Sequence, residues 1–132
     1  MEMATKRDIE NREDIIKLVN TFYDKVNANE VLSPLFNEVA QVHWDSHLPT
    51  MYDFWENIIF GTGNYRGRPM PPHLALNQKV PLLEHHFITW MSLFFPTVDE
   101  LFEGPKAQLA KERAQHIASV MRYKTSQMQK LG

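Results

Sequence analysis

Apolar side chains recur every three or four residues along most of the chain, which is the spacing of one face of an α-helix. The first such face follows Asn11, a residue type that caps helix N-termini. It comprises Ile15, Val19, Phe22 and Val26, with Tyr23 beside them. A short element comes next, in which we expect Ser33 as the cap and Pro34 as the first helical residue, ahead of Leu35 and Phe36. Because no segment alternates apolar and polar residues with a period of two, the pattern predicts an all-α fold.

The next apolar helix face carries a histidine. In "HWDSHLPTMYDFWENIIFGTG", residues 43–63, the positions that share this face are His47, Met51, Phe54, Trp55 and Ile58. A helix tolerates proline in its first turn, so Pro49 predicts a helix that begins near Asp45 or Ser46. We expect Gly61 or Gly63 to end it.

A second histidine lies in a segment rich in glycine and proline. In "GNYRGRPMPPHLALN", residues 63–77, Pro71 and Pro72 precede His73 and a short apolar run, which is typical of the start of a short helix. The connection before it, roughly ten residues, is longer than most loops in a compact domain, and such loops are often functional. His73 is therefore either a positioned functional side chain or a loop histidine that faces solvent.

Two further helices complete the pattern. One is expected from about Pro81 to Phe95, closed by Pro96, with an apolar face of Leu83, Phe87, Trp90 and Phe94. The last is expected to start at Gly104 and Pro105, and small residues on its face permit close packing. That face comprises Ala110, Ala114, Ile117, Ala118 and Met121.

Length and composition fit one ordinary domain. The chain has 132 residues, no cysteine and a formal net charge of −2, with a pI near 6.3. We expect a single domain over residues 1–132, with residues 1–10 a loosely ordered extension. The chain lacks the positive charge that binding to nucleic acid or anionic membranes requires, so we expect neither partner. Its charged start and short apolar runs favour a cytoplasmic protein.

Most of the six histidines suggest no site of their own. His43 and His47 lie four residues apart and could chelate a metal, but no further ligands follow at a familiar spacing. His85 and His86 point about 100° apart on a helix, and they are expected at the surface together with His116. Catalytic triads and phosphate-binding loops have no local counterpart in the sequence.

Three side chains near the inward helix faces combine an apolar ring with a hydrogen-bonding group: Tyr23, His47 and Trp90. Each alone is usually a core residue whose polar atom finds a backbone partner. The occurrence of all three favours a common site.

Five segments in collinear order resemble the group III truncated haemoglobins of bacteria. These are "FYDKV", "SPLFN", "HLPTMYDFW", "GRPMPPHL" and "FITWMSLF", within a similarity that spans roughly residues 10 to 125. The resemblance implies a shortened globin fold, in which helices pack two on two around haem. The periodicity alone would equally permit a four-helix bundle.

The resemblance also implies roles for individual residues around a haem b cofactor. His73 matches the proximal iron ligand and His47 the distal histidine, which is mobile in the family. Tyr23 and Trp90 match the distal hydrogen-bond donors. The residues expected to contact the cofactor are Phe36, Met51, Phe54, Trp55, Phe87, Trp90 and Ile117, with Arg68 expected near the propionates.

The function implied by the resemblance is binding of O2 and other diatomic ligands such as nitric oxide and carbon monoxide. Two distal donors would retain O2, which favours redox or nitric-oxide chemistry with an external reductase over transport. The alternatives are a haem-based gas sensor, an O2 carrier or a haem-free helical metal-binding or interaction domain. Nitric oxide dioxygenase and peroxidase-like activities both stay open. We expect a monomer or a weak homodimer.

Overall fold

The computed structural model describes residues 6–63 and 82–131, with side chains described through residue 127. In this part of the chain all regular structure is helical. The helices are α1 (Arg12–Ala28), α2 (Leu32–Pro34), a π-helical turn (Leu35–Val39), α3 (Trp44–Phe60), α4 (Glu84–Leu101) and α5 (Pro105–Leu131). The predicted all-α fold is confirmed. None of the described helices is long and apolar enough to cross a lipid bilayer.

The four long helices pack as two pairs. Helix α1 contacts α3, and α4 runs along α5. Each pair also contacts the other, because α1 touches α4 and α3 touches α5. This is the two-on-two arrangement that the resemblance predicts.

The core lies where these four helices meet. Helix α1 contributes Phe22 and Val26, helix α4 contributes Phe94 and Val98, and each of these is at most 2% exposed. Fully burying a side chain of this size stabilises the fold by about 1.5–3 kcal/mol. Helix α5 presents small side chains to this core, so its backbone can approach closely; they are Ala107, Ala110, Ala114 and Ala118.

Several helix ends follow from local sequence. The Asn11 side chain accepts a hydrogen bond from the Asp14 backbone N–H at 3.0 Å, which confirms it as the cap of α1. Gly61 ends α3 in the left-handed conformation, with φ of 66°, where glycine avoids the steric cost of a side chain. Pro105 is the first residue of α5, as predicted.

Three other predicted boundaries were wrong. Ser33 is not a cap, because the Asn29 side chain accepts the hydrogen bonds from the backbone N–H groups of Val31 and Leu32. Helix α3 begins one residue earlier than expected, at Trp44, and α4 begins at Glu84 rather than near Pro81. Short-range polar groups select such boundaries, and the apolar periodicity does not report them.

Pro96 was also expected to close α4, but it lies inside the helix. A proline in a helix interior removes one backbone hydrogen bond and costs about 3 kcal/mol. The following turn carries Thr97 and Val98, both fully buried, and Thr97 also donates its hydroxyl to the Leu93 carbonyl. Burial of this turn against the core offsets the cost of the interior proline, so the helix continues to Leu101.

Residues 6–10 are the described part of the predicted N-terminal extension, and they contact the domain through Ile9 and Asp8. Ile9 is 1% exposed. Asp8 accepts hydrogen bonds from the backbone N–H groups of Lys106 and Ala107, at 2.9 and 2.8 Å, so it caps α5. The segment thus joins the N-terminal end of the chain to the start of the last helix.

An ion pair and a close backbone approach complete this contact. The Arg7 guanidinium donates two hydrogen bonds of 2.6 Å to the Asp14 carboxylate. Gly104 has a φ of 147°, and a Cβ at this position would lie 2.6 Å from Cγ of Asp8. Only glycine fits this close approach. We refer to Arg7, Asp8, Asp14 and Gly104 as the N-terminal clamp.

Candidate functional site

Four aromatic side chains from three helical elements meet at one end of α1. We define the aromatic cluster as Tyr23 of α1, Phe36 of the π-helical turn, and Trp44 and His47 of α3. The Tyr23 ring centroid lies 5.4 Å from His47, 5.3 Å from Trp44 and 6.0 Å from Phe36. The structure therefore brings together three of the predicted site residues, Tyr23, Phe36 and His47.

Tyr23 supplies this cluster with a hydrogen-bond donor. Its side chain is 7% exposed, and burial raises the pKa of its hydroxyl above the ordinary value, so the hydroxyl is protonated at neutral pH. Within the described residues this hydroxyl makes no hydrogen bond. A hydrogen-bond donor on a buried side chain favours binding of a ligand that can accept its hydrogen bond.

Trp90, the second predicted donor, lies next to the cluster on helix α4. The Trp90 ring is half-buried. Its centroid lies 5.3 Å from that of Phe22, with an angle of 81° between the ring planes, and it stacks in parallel on Phe94 with a centroid distance of 5.2 Å. Phe22 also contacts Tyr23, at 5.0 Å. One core phenylalanine therefore touches both donor-bearing rings, which places Trp90 beside the cluster.

The predicted pocket walls fall into two groups. Met51 and Phe54 of α3 and Ile117 of α5 are half-buried and pack against the core. Trp55 and Phe87 are buried, and Trp55 stacks on Phe94 at 4.9 Å. All five thus pack in or against the core, Trp55 also joins α3 to α4, and their role as pocket walls stays a prediction.

The proximal side of the predicted site lies outside the described residues. His73 was predicted as the iron ligand and Arg68 as a propionate partner, and both belong to residues 64–81. These two assignments stay predictions.

Among the described residues, the alternative metal site at His43 and His47 gains no further ligand. His43 is exposed and precedes α3 as its cap residue. Over residues 6–63 and 82–127, no three histidine, aspartate or glutamate side chains come together to hold a metal ion. His116 is exposed, as predicted.

Trp44 and Asn37 belong to the site but were not predicted. The Trp44 indole N–H donates a hydrogen bond to Oδ1 of Asn37 at 2.9 Å, and the ring stacks on Phe36 at 5.9 Å. Trp44 lies three residues before His47, a spacing that places two side chains on the same helix face. That spacing was a usable signal, but the expected start of α3 near Asp45 hid it.

The helices packed two on two, with an aromatic cluster between α1 and α3, fit the shortened globin fold that the resemblance implies. No protein-family model matches the chain. A group 3 truncated haemoglobin of Campylobacter jejuni is 32% identical over 112 residues, which cover 83% of this chain and 86% of that protein. The crystal structure of the group III truncated haemoglobin from Campylobacter jejuni matches with a TM-score of 0.79 at 29% identity, covering 92% of this chain and 95% of that one. The chain belongs to the group III truncated haemoglobins.

Proposed function

We propose that this protein binds haem b through His73 and holds O2 or another diatomic ligand beside Tyr23, His47 and Trp90. The truncated haemoglobin family supports a haem cofactor and O2 binding. The observation that carries the proposal is Tyr23, a buried residue of the ring cluster that contains His47, whose protonated hydroxyl has no hydrogen-bond partner among the described residues.

The described side chains suit a flat, largely apolar cofactor. Helices α3, α4 and α5 carry aromatic and aliphatic groups in and against the core, including Phe54, Phe87 and Ile117. Such groups bury the faces of a planar macrocycle and exclude water from it. Arg68 is proposed to pair with a propionate, because a guanidinium binds carboxylates well.

Haem supplies the iron that binds the diatomic ligand, and the distal side chains set how long the ligand stays. Bound O2 carries partial negative charge and accepts hydrogen bonds, so Tyr23 and Trp90 are suited to hold it. A hydrogen bond to a charged group contributes about 1.5–3 kcal/mol, so two of them would slow O2 release by roughly a hundred- to ten-thousandfold.

Long retention fits chemistry on bound oxygen better than carriage. We therefore propose a redox or nitric-oxide role that draws electrons from an external reductase, with sensing and transport as the alternatives. Nitric oxide and carbon monoxide are proposed as further ligands of the same site. The proposed setting is the cytoplasm, with the protein as a monomer or a weak homodimer.

Haem titration of the purified protein tests the cofactor and its ligand together. We expect one haem per chain, with an absorption spectrum of histidine-ligated haem, and loss of that spectrum in His73→Gly. Added imidazole should restore it, because a free imidazole can occupy the space that the side chain leaves. The matched control is His116→Ala, which removes an exposed histidine of α5 and should bind haem normally.

Two results would overturn this proposal. A wild-type protein that takes up no haem would exclude the function itself. A His73→Gly variant with an unchanged spectrum and no need for imidazole would exclude His73 as the iron ligand.

A further inference from the structure

Trp44 occupies the middle of the aromatic cluster. Its ring lies 5.3 Å from Tyr23 and 5.5 Å from His47, and it is within 14° of parallel to Phe36. Its one polar atom, the indole nitrogen, donates to Oδ1 of Asn37. Because its ring is packed on three neighbours and its N–H is paired, Trp44 has little rotational freedom.

Asn37, the partner of Trp44, is itself held in place. Its Nδ2 atom donates to Oδ1 of Asn27 at 2.9 Å, and to the carbonyl and hydroxyl oxygens of Ser33 at 3.1 Å. Asn27 belongs to α1, so Asn37 attaches the π-helical turn to the end of that helix. The hydrogen bond from Trp44 then attaches the first turn of α3 to the same point.

The first turn of α3 has local hydrogen bonds of its own, because the Ser46 hydroxyl donates to the His43 carbonyl at 3.2 Å and the Thr50 hydroxyl to the Ser46 carbonyl at 2.9 Å. His43, the cap residue, makes no side-chain hydrogen bond to the helix. Pro49 has no backbone N–H, so the Asp45 carbonyl lacks the helical hydrogen bond that this position would otherwise donate. This part of the helix therefore lacks one backbone hydrogen bond, as is expected next to an interior proline.

We propose that Trp44 is a positioning residue for His47. Anchored on Asn37, the indole holds the first turn of α3 so that the His47 ring stays beside Tyr23. Breaking the hydrogen bond between Trp44 and Asn37 lets this turn move away and opens the path by which a ligand enters. The inference rests on the proposed function, in which His47 borders the ligand site, and it assigns control of that residue to Trp44, to which the family resemblance gave no role.

The test uses Trp44→Phe in the haem-loaded protein, because phenylalanine keeps an aromatic ring and removes the N–H. We expect carbon monoxide association after flash photolysis to accelerate at least threefold. Backbone amide exchange in residues 44–48 should accelerate by a similar factor. Asn37→Ala removes the acceptor of the same hydrogen bond and should reproduce both effects. This second variant keeps the test valid if Trp44→Phe folds poorly.

The matched control is Tyr52→Phe. Tyr52 also lies on α3 and donates its hydroxyl to Oδ1 of Asn20 on α1 at 2.5 Å, but it is not part of the aromatic cluster. This variant also removes one hydrogen bond of α3, but one that joins it to α1 and not to the π-helical turn. We expect no change in carbon monoxide association and no change in exchange at residues 44–48.

A double-mutant comparison separates positioning from simple packing. If Trp44 acts through His47, Trp44→Phe should change carbon monoxide association by less than 1.5-fold in a His47→Leu background. The relative intensities of the infrared stretching bands of bound carbon monoxide should differ between Trp44→Phe and the wild type. They should be the same in His47→Leu with and without Trp44→Phe. An equal acceleration in both backgrounds would overturn the inference, because Trp44 would then act without His47.

The failures of the two proposals are distinguishable. A wild type that binds haem, together with unchanged association and exchange rates in Trp44→Phe, would overturn the positioning role alone. Failure of the wild type to take up haem would overturn the proposed function, and the positioning role would fall with it.

Discussion

The N-terminal clamp and the aromatic cluster both place polar groups in largely buried surroundings, but they treat those groups differently. In the clamp, both Asp8 and Asp14 accept several hydrogen bonds, from the backbone of residues 9, 10, 106 and 107 and from Arg7. In the cluster, the Tyr23 hydroxyl makes none among the described residues. A paired group stabilises the fold, whereas an unpaired donor costs stability unless a ligand accepts from it.

This difference predicts opposite consequences for substitutions in the two regions. Changes in the clamp should lower the free energy of unfolding and leave ligand release unchanged. Removal of the Tyr23 hydroxyl from the cluster should alter ligand release and leave the free energy of unfolding nearly unchanged.

The largest loss of stability is expected at Gly104. Alanine there would adopt an unfavourable φ and place its Cβ 2.6 Å from Cγ of Asp8. We expect Gly104→Ala to lower the free energy of unfolding by about 3 kcal/mol or more. Gly61→Ala is the matched control, because its φ is also positive but nothing lies within 4 Å of the added carbon. That control should lose only about 1–2 kcal/mol; equal losses in urea unfolding would contradict the close contact.

A smaller loss is expected at Asp8, which caps α5 from a position 98 residues away from Lys106. Removing a capping side chain costs about 0.5–2 kcal/mol, so we expect Asp8→Ala to lose an amount in this range. Asp8→Asn keeps an oxygen that accepts from the backbone and should lose less. If Asn and Ala variants lose the same amount, the capping role is wrong.

The clamp should also weaken in acid. The Arg7 guanidinium holds the pKa of the Asp14 carboxyl below its ordinary value, and hydrogen bonds from Glu10 and Asn11 act in the same direction. Burial on its own would raise the pKa of Asp8, but the backbone N–H groups of residues 106, 107 and 9 lower it overall. A carboxyl whose pKa is lowered on folding stabilises the fold above its unfolded pKa, near 3.9, and loses that contribution as the pH falls through its folded pKa.

Urea unfolding at pH 7, 5 and 3 measures this effect. We expect stability to fall between pH 5 and pH 3 in the wild type, and to fall less in Asp14→Asn, which has one fewer carboxyl to protonate. The same pH dependence in both proteins would exclude Asp14 as a source of it.

The smallest effect on stability is expected in the aromatic cluster. Tyr23→Phe removes a hydroxyl without a partner among the described residues and keeps the ring contacts with Phe22 and Trp44. We expect the free energy of unfolding of the haem-free protein to change by less than about 0.5 kcal/mol. A loss above about 1.5 kcal/mol would show that the hydroxyl is a structural group.

The sequence predicted those features that depend on neighbouring residues. Asn11 and Gly61 act on the turn next to them, and the apolar faces of α1 and α3 follow from a period of 3.6 residues. The passage of α4 through Pro96 was not predictable in this way, because it depends on burial of the next turn against other helices. The clamp joins residues distant in sequence, and no local pattern reports such a contact.

The candidate site shows the same division. Tyr23, Phe36 and His47 were predicted as one site because a family resemblance linked three separate segments. In the structure, the ring centroid of Tyr23 lies 6.0 Å from that of Phe36 and 5.4 Å from that of His47. Trp44 was missed because its importance depends on a hydrogen bond to Asn37, which requires knowledge of how the π-helical turn meets α3.

The central claim is that Tyr23 and Trp90 donate hydrogen bonds to a bound diatomic ligand, and stopped-flow displacement of O2 tests it most directly. In Tyr23→Phe with Trp90→Phe, we expect O2 release to accelerate well over tenfold relative to the wild type, where tenfold corresponds to about 1.4 kcal/mol. Release of carbon monoxide, which is less polar when bound, should change much less, since a wider pocket would affect both gases alike. Unchanged O2 release in the double variant would contradict the account.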